Sequence, residues 1–130
     1  MTSIQILALY GGLLGILFLG LSFKVTMLRR KHRVGVGDGD VSELRRAVRV
    51  QANFAEYVPV LLIQMAILVA LGAPAWALHL IGGLIFLSRV VFSYGLGQYA
   101  GTSKARFSGM LTTYILLLVQ SVYLLGLAVL

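Results

Sequence analysis

Residues 4–23 read IQILALYGGLLGILFLGLSF, twenty positions without a charge. At 1.5 Å per residue such a run makes a helix about 30 Å long, the thickness of a bilayer's hydrocarbon core. It is too long for a signal-peptide core, lacks a basic start and has no clear small-residue cleavage site, so it reads as a retained helix. The helix is expected over about Ile4–Leu28, with Lys24 near its end, where a long side chain reaches the interface.

Outward from this run, the same signal recurs three times. A second helix is expected over about Glu43–Leu71, with Ser42 as N-cap, Glu43 in the first turn and Pro59 kinking its apolar half. Gly72-Ala73-Pro74 is a short uncharged turn, and a third helix follows over about Ala75–Tyr94. Gly95, Gly97 and Gly101 then break the pattern, and a fourth helix runs from Ser103 or Lys104 to Leu130. The fold class is thus an all-α membrane protein, a bundle of four transmembrane helices forming one domain over residues 1–130.

Composition agrees. The 130 residues are 59% hydrophobic and 12% charged, with mean hydropathy +0.94, against about half and about a quarter in soluble domains. The absence of cysteine excludes disulfides, Cys-ligated metals and a cysteine nucleophile. Net charge is +7 with four acids, Asp38, Asp40, Glu43 and Glu56. In a soluble chain this would point to nucleic acid; here it reads as Lys- and Arg-rich cytoplasmic loops. Arg29, Arg30, Lys31 and Arg33 lie between helices one and two, with Arg45 and Arg46 close by, and Lys104 and Arg106 lie between helices three and four. The positive-inside rule puts both basic loops in the cytoplasm and both termini on the other side. Gly35, Gly37 and Gly39 fall in a loop without the spacing of a phosphate-binding motif.

The chemistry concentrates on helix two. Arg46, Arg49, Asn53 and Glu56 are spaced three, four and three apart and share one face, with Gln64 deeper on the same stripe. Ionisable groups at such depth are costly and face a bundle interior or a watery cavity. The stripe reads either as a functional polar pocket or as a salt-bridge network pairing Glu56 with Arg49 or Arg89. Arg89 follows a long apolar run, so an Arg89–Glu56 structural ion pair, within or between subunits, is the cheapest solution for both charges. The shortage of carboxylates suits an anionic ligand. Spacing alone makes Arg106 an interfacial anchor, His79 a packed or lipid-interface histidine and His32 a solvated one. No metal site, hydrolase triad or dinucleotide motif is expected.

The run Arg49-Val50-Gln51-Ala52-Asn53-Phe54-Ala55-Glu56-Tyr57-Val58-Pro59 has the pattern R-x-Q-x-N-x-x-E-Y-x-P. It resembles the second-helix signature of the MAPEG family, the membrane-associated proteins in eicosanoid and glutathione metabolism. Arg29-Arg30-Lys31-His32-Arg33-Val34 is similar to the family's loop pattern R-R-x-x-R-V, and Gly37-Asp38-Gly39 with Arg106-Phe107-Ser108-Gly109-Met110 resembles its short bacterial inner-membrane members. The resemblance implies a homotrimer in the inner membrane, with glutathione as co-substrate held between subunits and a hydrophobic second substrate arriving from the lipid. It implies that Arg49, Asn53, Glu56 and Tyr57 contact glutathione, that Gln51 lies nearby, and that Arg29 reaches it from a neighbouring subunit. It makes Arg106 the catalytic candidate, a cation stabilising the glutathione thiolate. The family's helix-three tyrosines fall at Phe92 and Leu96, and Tyr94 and Tyr99 lie nearby out of register, Tyr94 being the binding candidate. The implied activity is conjugation of glutathione to a hydrophobic electrophile or reduction of a lipid hydroperoxide. The alternatives are a non-enzymatic trimer binding lipid or another anion in its polar inter-subunit pocket, and a polar stripe that is only a structural seam.

Overall fold

Thr2 opens the first helix with a capping box. Its hydroxyl accepts from the Gln5 N–H at 3.3 Å, and its own N–H donates to the Gln5 side chain at 2.8 Å. The computed structural model describes residues 1–98 and 103–130. These form α1 (Ser3–His32), α2 (Ser42–Ala70), α3 (Ala75–Gln98) and α4 (Lys104–Val129), with no strand among the described residues. All four are long and apolar enough to cross a membrane.

Three boundaries differ from expectation, each for a physical reason. Helix α1 continues past Leu28 through Arg29, Arg30, Lys31 and His32, because cations in a last turn complement the negative end of the helix dipole. Arg33 ends it in the left-handed region at φ 55°. Ser42 is not the N-cap of α2. Val41 is, without a side-chain cap, and the loop before it is pinned instead by Asp38, which accepts from Arg45 Nε at 2.6 Å and from the Asp40 N–H at 2.9 Å. The Arg45 guanidinium beside Asp38 holds its carboxyl below the usual carboxylate range. Helix α3 does not stop at Tyr94 but passes through Gly95 to Gln98. A Cβ at Gly95 would stand 2.7 Å from the Arg106 backbone nitrogen and 2.9 Å from the Ala105 Cβ, so this glycine permits close packing rather than breaking the helix. The expected break at Gly101, and Tyr99 beside it, lie outside the described residues. Helix α4 begins at Lys104 behind Ser103, whose hydroxyl accepts from the Arg106 N–H at 3.1 Å.

Helices α2 and α3 form the centre. Each packs against all three others, whereas α1 and α4 do not pack against one another among the described residues. The main core joins Ile6 and Leu14 of α1, Leu61 and Met65 of α2, Ile85 of α3 and Leu116 of α4. Pro59 sits inside α2 on its exposed side, where the Ala55 carbonyl loses its usual N–H partner without ending the helix. Helices α1 and α3 meet where the Tyr10 ring lies over Gly82, and the Tyr10 hydroxyl shares a 3.1 Å hydrogen bond with His79 Nδ1. Of its two expected settings, packed or at the lipid interface, His79 thus takes the packed one.

The expected Arg89–Glu56 pair is not formed. Arg89 is 1% exposed, and among the described residues its side chain meets only neutral acceptors. Nη1 donates to Asn53 Oδ1 of α2, and Nη2 donates to Thr113 Oγ1 and, at 3.4 Å, to the Gly109 carbonyl of α4. The Phe92 ring lies 5.1 Å away, within cation–π range. Thr113 donates its own proton to the Gly109 carbonyl at 2.9 Å, which turns its lone pairs toward the guanidinium. So complete a burial also closes Arg89 to a carboxylate from outside the subunit. Gly109 is needed for this approach: a Cβ there would fall 2.8 Å from the Phe92 Cβ and 2.9 Å from the Ser88 carbonyl.

Thermal unfolding in detergent tests this packing. Gly109→Ala should destabilise by about 1–3 kcal/mol through overpacking, whereas Gly126→Ala, with open space around its Cβ, should be neutral or slightly stabilising. Asn53→Ala and Thr113→Val should each cost about 1–2 kcal/mol by removing an acceptor from the buried cation. A Glu56→Gln change should leave stability nearly unaltered, which an Arg89–Glu56 pair would not allow.

Candidate functional site

The stripe on α2 is one arc in sequence but two surfaces in the fold. Asn53 turns into the protein, 7% exposed, where Arg89 takes its carbonyl oxygen. Arg49 and Glu56, two turns apart, stay outside, their side chains each 54% exposed, and face one another at 3.9 Å. This is the Arg49 alternative of the two pairings that the spacing allows. At this exposure such a pair contributes at most about 1 kcal/mol and leaves both groups free to exchange partners.

Beside them, Tyr57 brings its hydroxyl 3.4 Å from that of Tyr114 on α4, with the rings edge to face at 5.9 Å. Tyr114 escaped sequence reasoning. Its only signal is its place after Thr113, which lies seven residues, and so about two turns, beyond Arg106 on α4. Arg49, Glu56, Tyr57 and Tyr114 thus make one polar surface across α2 and α4. It offers a cation, an anion and two hydroxyls, a set that can bind a zwitterionic ligand with both carboxylate and ammonium groups.

The remaining candidates have surroundings of their own. Gln51 turns toward α1 and donates to Ser22 Oγ at 3.0 Å, so its amide joins two helices. Arg29 donates to the Gly37 carbonyl at 2.7 Å, bracing the loop after α1. Arg106, half-buried in the first turn of α4, lines a cavity of about 250 Å³ with Ser103, Phe107 and Met110. Tyr94 is 67% exposed on α3. Phe92 and Leu96, where the resemblance implies tyrosines, are buried against Val50. Gln64, further along the α2 stripe, donates to Ser121 Oγ of α4 at 2.8 Å and serves as a second polar tie between these helices. One subunit therefore gathers Arg49, Glu56 and Tyr57, but not Arg29, Gln51 or Tyr94 with them.

The comparisons with known proteins follow this geometry. The family model described as MAPEG family matches residues 7–126. Inner membrane protein YecN of Escherichia coli strain K12 is 35% identical over 113 residues, which cover 87% of this chain and 85% of the relative. YecN of Escherichia coli O6:H1 strain CFT073 matches to the same extent. No solved structure gives a significant match. Together with the four spanning helices, these relatives make the chain a multi-pass integral protein of the inner membrane. Matched over nearly its whole length, the chain belongs to the MAPEG family.

Proposed function

We propose that this protein is a glutathione-dependent membrane transferase or peroxidase, working as a homotrimer with its termini on the non-cytoplasmic side. The observation that carries the reading is the exposed Arg49–Glu56–Tyr57 surface on α2, within a run that has the family's R-x-Q-x-N-x-x-E-Y-x-P pattern. Glutathione has two carboxylates and one ammonium. Arg49 suits a carboxylate, Glu56 suits the ammonium, and Tyr57 with Tyr114 can donate to or accept from the peptide. Arg29 is turned to its own loop, and the proposed trimer would bring a neighbouring subunit's copy of it beside this surface.

A free thiol titrates near 8.5, and the thiolate is the nucleophile. In this reading Arg106 stands by the sulfur and favours its ionised form, the proton leaving to solvent. The thiolate then attacks an electrophilic carbon, a C–S bond forms, and the leaving group departs with its electron pair. With a hydroperoxide, sulfur attacks the terminal oxygen and the O–O bond breaks to give an alcohol. A second glutathione resolves the sulfenic acid to a disulfide and water. The hydrophobic partner enters from lipid, where the apolar faces of α1 and α4 are exposed.

One observation favours a second reading, a trimer that binds lipid or another anion without turnover. Phe92 and Leu96 are 3% and 5% exposed and so present no hydroxyl to a thiol at the family's tyrosine positions.

Detergent-purified protein should conjugate glutathione to a reactive aryl chloride. Arg106→Ala should lower kcat/KM by about 10–100-fold through loss of the cation beside the thiolate, while Glu56→Gln should act mainly on the KM for glutathione. Saturable glutathione binding without turnover would select the second reading, and absence of both binding and turnover would reject the first. Orientation has its own test: an outside-active phosphatase fused after Leu130 should be active, and one inserted at the exposed Val36 should be silent.

A further inference from the structure

The last turn of α1 holds a cavity from which the proposed function draws Arg29 alone. It measures about 360 Å³ and is lined by Thr26, Arg29, Arg30, Arg33, Val34 and Gly35. Three guanidiniums line it with no carboxylate among them, and the Thr26 hydroxyl donates to the Ser22 carbonyl of its own helix at 3.2 Å. The acids of the loop are held elsewhere: Asp38 and Asp40 both face Arg45. The Arg29 bond to the Gly37 carbonyl holds the loop against the end of the helix, so the pocket has a fixed side. Arg30 and Arg33 are exposed beside it.

The position of this cavity identifies its occupant. Leu19, Phe23 and Met27 are exposed apolar residues on α1. With Thr26 and Arg30 they follow the helix at spacings of three and four, so they form one continuous face that ends in the cavity. A soluble anion would use the guanidiniums and ignore that face. A phospholipid would use both, its acyl chain lying along the apolar residues and its phosphate meeting the fork of an arginine.

We propose that the end of α1 is a binding site for an anionic phospholipid, with Arg30 and Arg33 holding the phosphate headgroup and Leu19, Phe23 and Met27 carrying an acyl chain. The site depends on the helices crossing a membrane and not on the transferase reading. A basic loop that served orientation alone would need charge there, but no hollow of arginines at the end of an exposed apolar face.

The experiment is native mass spectrometry of the full chain in neutral detergent, titrated with phosphatidylglycerol and, separately, phosphatidylcholine of the same chain lengths. Phosphatidylglycerol should bind saturably and about tenfold more tightly. Arg30→Gln/Arg33→Gln should abolish that preference, while Lys31→Gln/Lys104→Gln, equal in net charge but outside the cavity, should keep it. Leu19→Ser/Phe23→Ser should weaken both lipids alike. Equal binding of the two lipids, or equal loss of preference in both charge variants, would overturn the site. So would inorganic phosphate binding as tightly as the lipid, which would mark a soluble-anion site. Displacement of the lipid by glutathione would assign the cavity to the tripeptide instead. Failure of glutathione turnover leaves every one of these readings intact, so the two proposals fall separately.

Discussion

A guanidinium buried in the middle of a four-helix bundle must be solvated by the bundle itself. Arg89 meets most of that demand with neutral groups: an amide oxygen from α2, a hydroxyl and a carbonyl from α4, and the face of Phe92 on its own helix, while its Nε finds no acceptor among the described residues. Much else in the centre follows from it. Gly109 must lack a side chain for the carbonyl to approach, Thr113 must point its proton away, and Asn53 must turn inward although its neighbours on the stripe do not. Leaving such a cation unsatisfied in a low dielectric costs several kcal/mol, more than the interhelical hydrogen bonds contribute singly. The arrangement therefore specifies how α2, α3 and α4 sit together more than it adds to stability.

This division of labour frees the acid. Because Arg89 draws on neutral acceptors, Glu56 stays at the surface with Arg49, half in contact with the surroundings. A carboxylate locked in the core could not exchange its partner for a ligand's ammonium. The same helix thus supplies a structural asparagine and, three residues later, an open carboxylate, separated by less than a quarter turn of the helical wheel.

Some of this was legible in the sequence, and the reason is length and polarity. Runs such as Ile4–Phe23 have one solution in a bilayer, and the turn at Gly72–Pro74 has few. The Arg49–Glu56 approach follows from helical spacing. What escaped were features decided by a neighbour. Gly95 looks like a helix breaker until the start of α4 is seen against it. Arg89 seemed to need the one deep carboxylate because sequence shows charges readily but hides carbonyls and hydroxyls that converge from distant positions. Ser42 resembles a cap, yet Asp38 and Arg45 already order the chain entering α2. Tyr114 carries no mark until Tyr57 is placed beside it.

The neutral shell around Arg89 also bears on how the chain enters the membrane. Asn53 precedes Arg89 in synthesis, but Thr113 and Gly109 follow it, so α3 emerges with only part of its cation's shell available. An arginine near a span's centre costs about 2.5–3.5 kcal/mol on insertion, roughly the gain from six or seven large apolar residues. Helix α3 carries enough of these, among them Leu78, Leu80, Ile81, Leu84, Ile85, Phe86 and Leu87, to pay that cost alone. The third helix can therefore lodge in the bilayer before its partner is made, with Arg89 waiting for α4 to complete its coordination.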